Sequence, residues 1–258
     1  MTAAVSVVIV TKNEERNIER CLKSVEWAAE TIVIDAHSDD RTRLKAAALG
    51  ARVFERDWPG YANQKNFGVR AATNSWVLNV DADEQVTPEL ADEICDAVRQ
   101  DVHKAYRVLI PTYFMGRPLK HYGRAPRDPG HIRLFRKDSA HFDNRLVHEV
   151  VEVDGSVGWL RAPILHFCYP TMGTYWRKIH SYAGLEARER ASGSLKWGNR
   201  WFRALGKLGW MLVWRRGLLD GPAAWIWIAG QAYEEWLATG QAVRLRRKSR
   251  TKRAPRLT

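Results

Sequence analysis

Cysteine is scarce: the 258 residues hold three, Cys21, Cys95 and Cys168, an odd number set far apart. That pattern excludes a disulfide framework and a metal knuckle, and it fits a reducing compartment. Long apolar runs are missing as well. The apolar start, Val5 to Val10, has no basic segment before it and stops at Lys12, so it reads as a first strand and not as a signal peptide. Leu208 to Trp214 and Ala223 to Ala229 are strongly apolar, but Arg215, Arg216 and Asp220 separate them. Each falls short of the ~20 residues that cross a bilayer.

Acidic residues are nearly absent from the last quarter. Lys196 to Thr258 holds 14 basic residues against Asp220, Glu234 and Glu235, whereas the chain up to Leu195 is balanced at 27 basic and 26 acidic. Nearly all of the net charge of +12 therefore belongs to the C-terminal region, which also carries seven of the twelve tryptophans. Cations interleaved with Trp and Leu suit a surface that meets anionic lipid headgroups. A nucleic-acid partner uses the same charges, but no recognisable nucleic-acid module accompanies them, so none is expected.

What is present is an alternation of strands and helices. Val5 to Val10 leads to a helical stretch with Ile18, Cys21, Leu22 and Val25 at helical spacing, with Thr11 or Asn13 as its cap. Thr31 to Ile34, Ala51 to Phe54 and Trp76 to Val80 read as further strands, separated by helices from Asp40 or Thr42 to Leu49 and from Ala62 to Ala72. This pattern predicts an α/β fold with a mostly parallel, doubly wound sheet. After a helix over Pro88 to Gln100, segments at Ala105 to Ile110, Ile132 to Phe135 and Trp159 to His166 read as added, partly antiparallel strands. Lys120 to Gly130 reads as a loop able to close over substrate. From Thr171 the chain turns helical, over roughly Thr174 to Ala191, Leu195 to Arg216 and Pro222 to Thr239. The expected organisation is a catalytic domain over 1–170, a helical, membrane-associating extension over 171–240 and a disordered basic tail over 241–258.

The stretch WVLNVDADE, Trp76 to Glu84, runs a buried strand straight into Asp81, Asp83 and Glu84. In an open α/β sheet ligands sit beyond the carboxyl ends of the strands, which would let Asp81 and Asp83 share one Mg²⁺ or Mn²⁺ carrying a substrate's phosphates. The plain alternative is that these acids only cap the following helix.

TKNE after the first strand, IVIDAHSDD after the second, YANQKNFG in the third helical unit, VDADE after the fourth strand, and RLVHE and LLDG downstream stand in order along the chain. Together they resemble the inverting family 2 glycosyltransferases of GT-A fold, within them the lipopolysaccharide-core β-1,4-glucosyltransferase group. The resemblance implies that Thr11, Asn13 and Glu14 line the base and ribose pocket and that Asp35 contacts the base. The second residue of the family's common Asp-Asp pair is here Ala36. It further implies that Lys65 reaches the diphosphate, that Asp81 faces ribose or metal, that Asp83 is the direct metal ligand, and that Glu149 is the catalytic base. Arg133 and Arg145 are candidates for phosphates or for ordinary ion pairs. His148 and His166 are read first as structural histidines, with a metal role for His166 as the alternative, and Asp39 as a loop or capping residue.

The function these features imply is transfer of a hexose, glucose from UDP-glucose with Mn²⁺ or Mg²⁺, onto a lipid-anchored glycan such as the lipopolysaccharide inner core. The expected location is the cytoplasmic side, peripheral on the inner face of the cytoplasmic membrane. The competing readings are a transferase of the same fold that uses another sugar nucleotide or a polyprenyl-phosphate acceptor, and a non-catalytic basic protein that binds nucleic acid.

Overall fold

The computed structural model describes residues 3–120, 130–143, 149–192 and 200–253. They divide into two compact units, one of Met1–Thr112 with Arg127–Phe167, the other of Tyr113–Pro126 with Cys168–Thr258.

The first unit opens with the expected alternation. Strands β1 (Ala3–Thr11), β2 (Ala28–Asp35), β3 (Arg52–Glu55) and β4 (Trp76–Asp81) are separated by helices α1 (Ile18–Lys23), α2 (Thr42–Ala48) and α3 (Tyr61–Ala71). Then follow β5 (Glu84–Val86), α4 (Pro88–Gln100) and β6 (Ala105–Val108). β7 (Thr112–Phe114) and β8 (Arg117–Pro118) form a hairpin, after which come β9 (His131–Arg136), β10 (Ala140–Phe142), β11 (Val151–Val153), β12 (Val157–Trp159) and β13 (Ile164–Cys168).

The main sheet has seven strands in the order β12-β6-β9-β4-β1-β2-β3. β3, β2, β1 and β4 run parallel, and β9 is the antiparallel strand beside β4. The apolar runs of β1 and β4 are buried on both faces, as parallel strands under helical layers require. α3 lies so close to β1 that a Cβ added at Gly68 would stand 2.3 Å from Val8 Cγ1. Glycine here sets the depth at which Lys65, on the same helix, enters the unit.

Two boundaries differ from expectation. α1 begins at Ile18 with Asn17 before it, because the backbone from Thr11 to Glu15 is bonded to the neighbouring loop instead of to a helix. The stretch from Trp159 to His166 is two strands, β12 and β13, broken around Pro163, whose ring supplies no ladder N–H. The loop expected to close over substrate falls mostly at 121–129, outside the described residues.

The second unit is built on three long helices, α5 (Met172–Ser192), α6 (Arg200–Gly209) and α7 (Pro222–Arg253). A π-helical turn at Trp210–Trp214 and a 3-10 turn at Gly217–Asp220 join the last two. Its core is aromatic: Tyr175 stacks on Trp227 at 5.5 Å, donates a 2.6 Å hydrogen bond to the Trp227 carbonyl, and meets Phe114 edge-on at 5.0 Å. Burial of Tyr175 depends on Gly230, where a Cβ would fall 2.1 Å from the Tyr175 hydroxyl. The basic stretch expected as a disordered tail instead continues α7 to Arg253. Its Ala, Leu, Gln, Arg and Lys residues are good helix formers, and no proline intervenes before Pro255.

Candidate active site

Parallel register aligns the carboxyl ends of three strands: Thr11 stands opposite Asp35, and Val10 opposite Asp81. Such an edge is where an α/β sheet presents side chains to a ligand.

At the end of β2, Asp35 is fully buried. One carboxylate oxygen accepts from the Ser38 backbone N–H at 2.7 Å; the other accepts from the Thr11 hydroxyl at 2.8 Å and the Ser38 hydroxyl at 2.6 Å. Asp35 and Thr11, expected at a nucleotide base, are bonded to each other and to the loop after β2. A short acid at a strand end satisfies the turn's own donors first, and here both residues close the loop. Asn13 and Glu14 tie that loop to the one after β1. The Asn13 N–H donates to Ser38 Oγ and its side-chain oxygen accepts from the Asp39 N–H, each at 2.8 Å, with Asn13 in the left-handed region at φ 56°. The Glu14 N–H donates to Thr42 Oγ1 at 2.9 Å, and its carboxylate accepts from the Asn17 amide at 2.8 Å. Of the four residues expected around the base, Asn13 is exposed and Glu14 half-buried, while Thr11 and Asp35 are buried. Asp39, read as a loop residue, fits that reading.

At the end of β4 the acids separate. Asp81 lies between two cations, with Lys65 Nζ at 3.2 Å from one oxygen and Arg133 Nη2 at 3.1 Å from the other. Burial opposes its ionisation, but Lys65 and Arg133 outweigh that and hold the carboxyl well below the usual carboxylate range. Asp83, two residues on in the turn, faces another way: its Oδ2 is 3.3 Å from His166 Nε2 on β13, and its carbonyl accepts the Phe167 N–H at 2.8 Å. Burial works against a charged His166, yet Asp83 reverses this and raises its pKa. The two acids of the motif thus have different neighbours, Asp81 the cations Lys65 and Arg133, Asp83 the imidazole of His166.

Among the described residues no three His, Cys, Asp or Glu side chains converge as a metal cluster. A carboxylate and an imidazole at 3.3 Å form a two-donor set. The carboxylate is the hard oxygen donor that Mn²⁺ or Mg²⁺ takes alongside water and phosphate oxygens, and the imidazole could join it only as the neutral ring.

Lys65 is 5 % exposed and also reaches Glu149, at 2.7 Å. Burial opposes its charge, and the carboxylates of Asp81 and Glu149 more than restore it. The structure therefore joins Lys65, Asp81 and Glu149, three of the predicted residues, in one ion-pair chain. Arg145 and His148 lie outside the described residues.

Sequence reasoning missed the braces. Arg133 is buried and donates to Asn79 Oδ1 at 3.1 Å, to Asp81 at 3.1 Å and to Glu84 at 2.6 Å, the ion-pair alternative of its two readings. Glu84 accepts the Asp81 N–H at 2.8 Å, which locks the turn, and burial pushes its pKa up to about 7 against the pull of Arg133. Asn79, the one polar residue inside WVLNV, was the available signal; a buried strand amide needs partners, and it finds the Val8 carbonyl at 3.1 Å as well as Arg133. A groove of about 510 Å³ lined by Lys137, His141 and Glu152 lies elsewhere and includes none of these residues.

The pattern of the family described as Glycosyl transferase family 2 matches residues 6–157, more than half of the chain. The chain belongs to glycosyl transferase family 2. It is an α/β protein of GT-A fold and a glycosyltransferase, with the family match covering the sheet and the acidic strand end. A glycosyltransferase of Rickettsia typhi, RT0209, is 34% identical over 222 residues, 81% of this chain and 75% of that protein. The lipopolysaccharide core biosynthesis glycosyltransferase LpsC of Rhizobium meliloti is 30% identical over 196 residues, 72% and 71% of the two chains. Among solved structures, S. aureus TarS 1-349 in complex with UDP-GlcNAc is similar at 13% identity and a TM-score of 0.49, over 98% of this chain and 92% of that one. Glucosyl-3-phosphoglycerate synthase from Mycobacterium tuberculosis is similar at 17% identity and a TM-score of 0.45, over 74% and 81%.

Proposed function

We propose that this family 2 enzyme is a metal-dependent, inverting hexosyltransferase that moves glucose from UDP-glucose onto a lipid-anchored glycan such as the lipopolysaccharide inner core. The observation that carries the reading is the placement of buried Lys65 between Asp81, at the sheet's carboxyl edge, and Glu149. A phosphate-seeking cation and a candidate base are thereby within one side chain of each other. The likeness to LpsC supports the acceptor class.

In the proposed reaction the acceptor hydroxyl oxygen forms a bond to the anomeric carbon as the bond from that carbon to the diphosphate oxygen breaks. The hydroxyl proton passes to a Glu149 carboxylate oxygen, and the electron pair of the broken bond leaves with UDP. One displacement inverts the centre, so a single carboxylate suffices. Lys65 supplies positive charge to the diphosphate through a flexible stem. A divalent cation held by Asp83 and His166, when bound, adds charge stabilisation to the leaving diphosphate. Asp81, held by Lys65 and Arg133, is oriented toward the ribose.

The domain reading we propose is a catalytic part followed by a helical, lipid-facing extension on the inner face of the cytoplasmic membrane. No helix among the described residues is long and apolar enough to cross a membrane. Large apolar side chains of the second unit, Phe202, Val213 and Trp214 among them, are 70 % or more exposed beside Arg215 and Arg216. Apolar side chains ringed by cations suit an anionic lipid surface.

The test is release of UDP from a panel of sugar nucleotides, with Mn²⁺ and inner-core lipopolysaccharide as acceptor. UDP-glucose should be the preferred donor. Asp83→Ala and Glu149→Ala should each lower turnover by about a hundredfold or more, with unfolding temperatures close to wild type. Full turnover by the Glu149 variant would remove it as base, and a different preferred donor would redirect the specificity.

A further inference from the structure

Lys65 stands between two carboxylates. Its Nζ stands 2.7 Å from Glu149 and 3.2 Å from Asp81, 5.4 Å from the Phe142 ring centre, in a setting with almost no solvent. The backbone around it is braced. On α3, the Asn66 amide donates to the Phe142 carbonyl at 2.8 Å, and its oxygen accepts the Phe142 N–H at 2.9 Å. Next to Phe142, Asp143 exchanges bonds with Val150: its N–H donates to the Val150 carbonyl at 3.0 Å, and its carboxylate accepts the Val150 N–H at 3.0 Å. Glu149 precedes Val150 in the chain, so these bonds hold the backbones that carry Lys65 and Glu149 near each other, and the four-carbon stem of Lys65 has room to turn its ammonium between partners.

We propose that Lys65 is a positioning residue that exchanges partners: it holds Glu149 while the donor site is empty, and transfers to the donor's diphosphate when the donor binds. The inference rests on the function proposed above. An ammonium has three protons to donate, and a diphosphate brings more negative charge than Glu149 does. Donor binding then strips Glu149 of its cation and leaves a carboxylate ready for the acceptor hydroxyl. The base comes free only when a diphosphate occupies the donor site. Asn66 and Asp143 keep Glu149 in place through the exchange.

If Glu149 competes with the diphosphate for Lys65, removing that competitor tightens nucleotide binding even as it destroys transfer. The probe is UDP with Mg²⁺, titrated calorimetrically against wild type, Glu149→Gln, Glu149→Asp and Glu152→Gln. Glu149→Asp keeps the charge but withdraws it by one methylene. Glu152→Gln removes a charge from β11, where the side chain pairs with His141 and not with Lys65. Both Glu149 variants should bind UDP about five- to tenfold more tightly than wild type, and Glu152→Gln should not. In wild type the Lys65 ¹⁵Nζ resonance should shift on UDP binding, and in Glu149→Gln it should start part-way to the bound position.

Equal or weaker UDP binding by both Glu149 variants overturns the exchange while leaving the proposed function standing. An equal gain in Glu152→Gln also overturns it, since the effect is then one of general charge. Failure of wild type to bind any uridine nucleotide defeats the exchange and the proposed function together.

Discussion

Replacing Arg133 by Met removes the cation that joins Asn79, Asp81 and Glu84. The guanidinium makes contacts at 3.1, 3.1 and 2.6 Å from a position 9 % exposed. Methionine fills much of the same volume, so the loss is electrostatic and not a cavity. Deleting one partner of a buried ion pair costs about 3–5 kcal/mol, because the remaining charge keeps its desolvation and loses its compensation. Glu84 limits this. Its pKa is already pushed up to about 7, and without Arg133 it rises further and takes a proton, which holds the loss to about 3 kcal/mol. At ~2–4 °C per kcal/mol for a unit of this size, the unfolding temperature of Arg133→Met should fall by about 6–12 °C. Circular dichroism at pH 7 measures it, and urea unfolding gives the free energy. Arg133→Met with Glu84→Gln should recover a good part of the loss, since the uncompensated acid is gone. Unfolding of Arg133→Met within 2 °C of wild type, or a double variant no more stable than the single, would refute this account of the network.

Two further outcomes concern the helical unit. Glu235, 6 % exposed, is bound by Arg190 at 2.6 and 2.9 Å and by Arg203 at 2.6 Å; burial opposes its ionisation, and the two guanidinium groups outweigh it and hold its pKa at about 2. A depressed carboxyl stabilises the fold above its unfolded pKa near 4.5, so about 3 kcal/mol should be lost as pH falls from 4.5 toward 2. Neighbouring Glu234, pushed up to about 7 mainly by burial, has the opposite sign: its contribution is present below 4.5 and lost as pH rises through 7. Stability followed by unfolding between pH 2 and 8 should therefore be highest near pH 4.5, between the two windows, and Arg190→Met should flatten the acid side; an unchanged acid side would contradict the pairing. Changing Phe202, Val213 and Trp214 together to Ser should lower sedimentation with anionic phosphatidylglycerol vesicles by about tenfold or more while UDP release from a soluble acceptor persists. Undiminished vesicle binding would place the lipid contact elsewhere, and binding to RNA in its stead would favour the nucleic-acid reading.

Much of the site was legible because its chemistry follows strand ends. WVLNVDADE announced a buried strand delivering acids to an edge, and the structure sets Asp81 at the carboxyl end of β4 beside β1. QKN proved informative as a unit: Gln64 bonds the Arg56 and Asp57 carbonyls, Asn66 bonds Phe142, and Lys65 between them reaches the acids. What could not be read was which acid meets which cation. Asp81 and Asp83 are equivalent in sequence, and only Lys65 and Arg133, 16 and 52 residues away, commit the first of them. Asp35 is similar: a strand-end aspartate can serve ligand or loop, and its bonds to Ser38 and Thr11 could not be read from the sequence.

Periodicity, residue type and local spacing determined, unaided, the parallel core, the acid-tipped strand and the skew of charge toward the C-terminal helices. These are properties of neighbours in the chain, governed by backbone geometry and by burial of one face. Tertiary structure alone decided the ion-pair chain from Glu149 through Lys65 and Asp81 to Arg133, the pairing of Asp83 with His166, and the helical course of the basic residues to Arg253. Charge pairing acts through space over a few ångströms, so its partners are settled only when distant strands have been laid side by side.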